Sequence, residues 1–194
     1  MWRHAMIAVK LTLVTVLLLG VLYPLTVTGL AQVLFPRQAN GSLLREHGQV
    51  IGSALLGQSF TRPEYFHPRP SAAGAGYDAT ASGGSNLGPT SRALLTRVRG
   101  ELGRLTRENP GLPADRVPVD MVTASASGLD PDISLANAAA QVAHVARARG
   151  WQEEEVRRVL NANTTSRQFG LLGEPRVNVL RVNRALDARE TARR

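Results

Sequence analysis

Three serines lie in glycine-containing loops, Ser85, Ser125 and Ser127, with Asp130 close to the last two and His144 further along the chain. These residue types are the parts of an acyl-transfer site, in which a base takes the serine proton and an acid orients the base. The local pattern argues against that use. Around Ser85, Leu87 stands where a nucleophile elbow needs its second glycine. His144 falls among alanines and valines at helical spacing, the setting of a packed histidine. An exported serine hydrolase, or a periplasmic binding protein released by signal cleavage after Ala31, remains as an alternative reading.

Other chemistry is more restricted. His4, His47, His67 and His144 are scattered, with no HExxH pair, so no metal site is expected. Asp130-Pro131-Asp132, followed by Ser134-Leu135, reads as a turn and a helix cap rather than a cation loop. Gly74-Ala75-Gly76-Tyr77-Asp78-Ala79 matches GxGxxA, but Pro68 and Pro70 occupy the place of the strand that a dinucleotide fingerprint requires. The loop from Ser82 to Thr90, with Gly83, Gly84 and Gly88, could offer backbone N–H groups to an anion at a helix entry. Its glycines are equally suited to a tight packed connection. Asn161, Asn163, Thr164, Thr165 and Ser166 form a polar helix exit.

Composition removes further classes. The 194 residues contain no cysteine, so no thiol nucleophile, disulfide or cysteine-ligated metal is available. Lys10 is the only lysine, which excludes a P-loop and a lysine Schiff base in the folded part. The net charge of +8 alone suits nucleic acid, anionic lipid or an acidic partner. The arginines are spread along the chain with few aromatics and no RNP or zinc-finger pattern, so nucleic acid is not expected.

The elements that must position these residues begin with an apolar segment. Leu11 to Phe35 holds no Asp, Glu, Lys, Arg or His. A bilayer core needs roughly 20 helical residues, and a signal-peptide core is usually about 7–15, so the length favours a retained transmembrane helix over residues 11–35. Pro24 is expected to kink it, and mid-stretch Tyr23 to face a protein neighbour. Arg3 and Lys10 mark residues 1–10 as a cytoplasmic flank. Residues 36–194 then form a periplasmic mixed α/β domain, with 21 basic and 15 acidic residues for a net +6.

Within that domain, Val50-Ile51 and Ala54-Leu55-Leu56 suggest a strand pair or a strand and turn. Arg62 to Pro89 is a long irregular stretch, rich in proline and glycine. Its Tyr65, Phe66 and Tyr77 mark it as ordered and packed. A helix capped by Thr90 or Ser91 carries Leu94, Leu95, Val98, Leu102 and Leu105 on one stripe. Val117 to Val122 reads as a buried strand. Two more helices follow: one with Leu135, Ala138, Ala139, Val142 and Ala146 on one face and Gly150 at its end, the other with Val156, Val159 and Leu160 buried. Val177 to Leu180 suggests a strand. The basic helical tail with Arg181, Arg184, Arg189, Arg193 and Arg194 reads as a solvated face. The fold class is thus α+β, tethered by one N-terminal span.

Several segments in order resemble one family, the C subunit of the bacterial Kdp potassium-transporting P-type ATPase complex. They are Gly52-Ser53 to Gly57-Gln58 with Phe60, Pro63-Glu64-Tyr65-Phe66 with Arg69-Pro70-Ser71, Ser82 to Thr90, Pro118 to Ser125, Ser127-Gly128-Leu129-Asp130-Pro131, and Leu172 to Leu180. Ala126 and Asn163 depart from the family's glycine and histidine. The resemblance implies a non-enzymatic accessory subunit of the bacterial inner membrane. Its partners would be a channel-like potassium-binding subunit and a P-type ATPase subunit, to which ATP and potassium belong; no cofactor of its own is expected. It also implies a catalytic chaperone that raises the ATPase subunit's affinity for ATP. On that basis Ser82, Gly83, Gly84, Ser85, Asn86 and Gly88 form a nucleotide-related or interface loop, and Tyr65, Phe66, Arg69, Asp130, Glu174 and Arg176 are candidate partner contacts. The charge flank places that loop outside, away from cytoplasmic ATP, so any effect on nucleotide is expected to be indirect.

Overall fold

A computed structural model describes residues 1–46 and 48–193. His47, one of the scattered histidines, and Arg194 of the basic tail lie outside the described residues. The chain divides into two compact units, Met1–Ser53 and Ala54–Arg194.

The first unit is dominated by one helix, α1, Trp2–Leu34, long and apolar enough to cross a membrane and with none of its apolar window buried. Pro24 does not break it. The helix instead widens ahead of the proline, with π-helical turns from Val16 to Leu22. A proline ring clashes with the carbonyl four residues earlier, here that of Gly20, and wider turns move that carbonyl away. Strand β1, Leu43–Glu46, then pairs antiparallel with β2, Gln49–Ser53, through a bulge between Leu44 and Arg45. Of the two readings of this segment the strand and turn holds: Val50-Ile51 lies in β2 and the chain turns at Ala54-Leu55. The Ala54 carbonyl is taken by the Asn178 side-chain amide at 2.9 Å.

The second unit is α+β. Helix α2, Arg92–Glu108, is capped by the Ser91 hydroxyl. Strand β3, Asp132–Ser134, leads into α3, Leu135–Arg149, which Ser134 caps and Gly150 ends in the left-handed conformation at φ 65°. Helix α4, Glu153–Ala162, precedes β4, Thr164–Thr165. Strand β5, Arg176–Asn178, runs into α5, Val179–Thr191, capped by Asn178. The sheet order is β3-β5-β4, antiparallel throughout, with Ile133 and Thr164 both opposite Val177. Val142 and Val145 of α3, Val156 and Leu160 of α4, and Val182 and Leu186 of α5 close the main core over Ile133 and Val177. A smaller cluster joins Leu105 to Met121 and Val122.

Three expectations change. Val117 to Val122 is not a strand: it holds the 3-10 turn Val119–Met121, and a second such turn, Ala114–Arg116, precedes it. Pro118 lacks an N–H, and the segment curls so that the Asp120 carboxylate accepts from the Ser134 N–H and hydroxyl and the Asn137 amide. The strand near the C-terminus stops at Asn178; in the basic segment after it Arg181, Arg189 and Arg193 are exposed, the solvated face expected of them, while the opposite face packs. α5 buries Val179, Leu180, Val182, Asn183 and Leu186. On α2 the stripe is buried only at its end: Leu105 is in the core, Val98 and Leu102 pack against it, and Leu95 is exposed.

The irregular stretch after Arg62 is ordered, as its aromatics suggest. Its backbone finds partners in side-chain amides. Asn183 on α5 accepts from the Phe66 N–H at 2.9 Å and donates to the Phe66 carbonyl at 2.9 Å. Gln141 on α3 makes the same pair with His67, at 2.7 and 3.0 Å. Two buried amides thus replace a neighbouring strand, which satisfies backbone groups that would otherwise be buried without partners.

Candidate functional site

The turn Ser127-Gly128-Leu129-Asp130-Pro131 holds the loops together. The Ser127 carbonyl accepts from the Gly83 N–H at 2.9 Å and the Ser82 hydroxyl at 3.0 Å. The Gly128 carbonyl accepts from the Ser71 hydroxyl at 2.6 Å. The Leu129 carbonyl accepts from the Gly57 N–H and the Pro131 carbonyl from the Val179 N–H. Four distant segments therefore meet on four carbonyls of this five-residue turn. The approach is so close that glycine is required: a Cβ on Gly128, itself at φ 68°, would lie 2.6 Å from the Ala73 nitrogen and the Gly83 oxygen.

The glycine-rich loop packs on the same turn. Gly83 and Gly84 lie against Ala126 to Gly128, and a Cβ on Gly84 would meet the Ala126 oxygen at 2.9 Å. Asn86 adopts φ 51°. Gly84 is required by this close approach, whereas Cβ atoms on Gly83 and Gly88 would meet nothing within 4 Å. Tyr77 completes the same region. Its phenol donates to the Arg69 carbonyl at 2.5 Å, and burial pushes its pKa up to about 12, so it stays neutral at ordinary pH.

Beside the turn lies an open groove of about 550 Å³. It gathers four of the six candidate contacts, Arg69, Asp130, Glu174 and Arg176, which the sequence separates widely. Arg69 donates to Asp130 at 3.0 Å and to the Ala124 carbonyl at 3.4 Å. Arg176 pairs with Asp132 at 3.0 Å. Both aspartates are held by arginines, and among the described residues no cluster of three metal-ligating side chains occurs. Arg69→Met should lower stability by about 1–2 kcal/mol, the worth of charge-assisted hydrogen bonds at a part-exposed site. Urea unfolding checks this; a double-mutant cycle with Asp130→Asn should return coupling in the same direction, and zero coupling would contradict the pairing.

The remaining two candidates lie elsewhere. Phe66 is wholly buried in the main core. It packs and has no surface to offer a partner, which corrects the contact expected of it. Tyr65 belongs to a cluster around Arg149, whose side chain is 1% exposed and pairs with Asp187 at 2.7 Å and Glu190 at 2.8 Å. The Tyr65 hydroxyl donates to Asp187 at 3.0 Å, and the Arg149 guanidinium lies over its ring.

The acyl-transfer reading gains nothing from the geometry. His144 Nδ1 donates to the Glu108 carbonyl at 3.1 Å, and its ring meets His67 edge-on. The small crevice these histidines line contains no serine. Burial lowers the His67 pKa.

One exposed feature was not singled out from the sequence. The Gln168 and Leu172 backbones exchange hydrogen bonds at 2.9 Å and form a tight loop. It displays Phe169, 84% exposed, Leu171, 81%, and Leu172, 60%. An Arg167–Glu174 ion pair at 2.7 Å closes its base, and Glu174 also lines the groove. The signal in the sequence is an apolar run between Gly170 and Gly173 that fits neither helix nor strand period.

A family model described as KdpC, K+-transporting ATPase, c chain, matches residues 5–188. The chain is 58% identical over 190 residues to the potassium-transporting ATPase KdpC subunit of Myxococcus xanthus, covering 97% of this chain and 90% of that one. It is 53% identical over 187 residues to the KdpC subunit of Koribacter versatilis, covering 96% and 95%. The KdpC subunit of Acidobacterium capsulatum is 56% identical over 185 residues, with coverage of 95% and 98%. These relatives carry transport-subunit names, and the hydrolase alternative finds no support among them.

Proposed function

Since the chain belongs to the KdpC family, the c chain of a K+-transporting ATPase, we propose that it is a non-catalytic accessory subunit that anchors in the membrane through α1 and braces the potassium-binding and ATP-hydrolysing subunits. The observation that carries the anchoring is α1 itself: a helix long and apolar enough to cross a membrane, with none of its apolar window buried. Fifteen Leu, Val and Phe side chains between Leu11 and Phe35 favour insertion by on the order of 5–9 kcal/mol.

The docking face is the Arg69–Arg176 groove together with the Phe169-Leu171-Leu172 loop. Exposed apolar side chains rimmed by ion pairs are the usual anatomy of a protein interface. The Ser82–Gly88 loop acts as part of the scaffold behind that face. The main domain stands outside the cytoplasm, because Arg3 and Lys10 hold the N-terminus inside. It therefore acts on ATP affinity only through coupling to the ATPase subunit, without touching nucleotide.

Two measurements test this reading. Affinity capture of the chain from mild-detergent membranes should recover two larger membrane subunits. A C-terminal alkaline phosphatase fusion should be active and a C-terminal fluorescent fusion dark. Capture without partners would sink the accessory role, and a bright cytoplasmic reporter would sink the orientation.

A further inference from the structure

We propose that the Leu19-Gly20-Val21 step in the middle of α1 is a docking point for a hydrogen-bond-donating side chain on a neighbouring transmembrane helix. The inference rests on α1 being a span. It starts from backbone accounting. The Tyr23 N–H reaches back to the Leu18 carbonyl, in the wide π-helical pattern. Pro24 has no N–H to give. The α-helical pattern resumes from Tyr23 with Leu22 as its cap, so the Leu22 carbonyl accepts the first bond of that stretch. It also accepts from the Thr26 hydroxyl at 2.7 Å. Between Leu18 and Leu22, three carbonyls are left with the single N–H of Leu25 as backbone donor. At least two of them lack a partner in the helix.

Their depth makes this consequential. Residues 11–35 are free of charge, and the step lies within about 6 Å of their midpoint at ~1.5 Å per residue. In hydrocarbon an unpaired carbonyl costs several kcal/mol, so a donor from a neighbouring helix is strongly favoured at these groups. Gly20 leaves the way open. A Cβ there would touch only the Val16 side chain at 3.7 Å, an ordinary contact. The helix itself does not need glycine at this position; a close neighbour does. Tyr23, 63% exposed at the same depth, brings a hydroxyl that also requires a partner.

The test uses the intact complex in membranes. Gly20→Leu blocks approach, and Pro24→Ala returns the missing N–H so the ladder can close. Both should weaken recovery of the partner subunits by roughly tenfold, on the scale of interhelical hydrogen bonds and packing. Leu22→Ala, about half a turn from Gly20, should leave recovery unchanged. All three chains should remain in the carbonate-washed membrane pellet. Loss from the pellet would instead show that α1 does not hold the membrane, a failure of the anchoring reading. Wild-type recovery with Gly20→Leu, from a chain still in the pellet, overturns the docking point, as would equal weakening by Leu22→Ala.

Discussion

Gly128→Ala is expected to lower the melting temperature of the second unit by roughly 10 °C, a loss of about 3–5 kcal/mol. Two terms add. A non-glycine residue at φ 68° costs about 1–2 kcal/mol of backbone strain. The new methyl group then meets backbone atoms of Ala73 and Gly83 at 2.6 Å, and neither is the free end of a side chain. One segment has to move, and with it the Ser71–Gly128 and Gly83–Ser127 hydrogen bonds, each worth about 1 kcal/mol net. Gly57→Ala should act in the same direction, because its Cβ would lie 2.6 Å from the Asp130 oxygen. Gly100→Ala is the contrasting case. It lies inside α2, with nothing within 4 Å of a Cβ. There the exchange should stabilise by about 0.5–1 kcal/mol through helix propensity. Near-ultraviolet circular dichroism during thermal unfolding of the full chain in detergent reads all three. Equal melting temperatures for Gly128→Ala and the parent would mean that the loops do not meet on that turn.

The same turn shows where sequence reasoning reaches its limit. Periodicity is a local property, so the helices with strong stripes and caps were legible: Ser91 and Ser134 as caps, Gly150 as the terminator, and Val156, Val159 and Leu160 as a buried face. Single apolar residues around a proline misled. Val119 is 71% exposed while Met121 and Val122 are buried, which is no strand alternation but the geometry of a 3-10 turn pulled in by Asp120. The groove drew its residues from motifs that family resemblance had marked, yet nothing local says that Arg69 meets Asp130 or that Arg176 meets Asp132. The first pairing depends on the long-range amide contacts of Asn183 and Gln141, which place the irregular stretch against α3 and α5; the second depends on the pairing of β3 with β5. Phe66 was marked by the same motif as Arg69 and lies in the core instead. The motif records a packed segment as much as a contact surface.

Removal of residues 1–36 is expected to release a folded, soluble domain that no longer assembles with partner subunits. The folding half of this prediction follows from where the core lies. Both clusters, from Phe66 to Leu186 and around Leu105, draw every member from the second unit. The hairpin of β1 and β2 stays in the shortened chain, so no strand is left without its partner. Its melting temperature should match that of the domain in the full chain within a few degrees. The assembly half follows from the anchor. Losing α1 removes on the order of 5–9 kcal/mol of membrane insertion, and it removes the high effective concentration that confinement to one bilayer gives the docking face. Weak contacts made by a groove and one apolar loop then have to act from bulk solution. Size-exclusion chromatography with circular dichroism reads the first half, and capture of partner subunits from membranes reads the second. An aggregated, unfolded product would mean that α1 or its flank is part of the fold. Full recovery of partners by the soluble domain would shift the binding energy from the membrane to the outer face, making Phe169, Leu171 and Leu172 the residues to replace next.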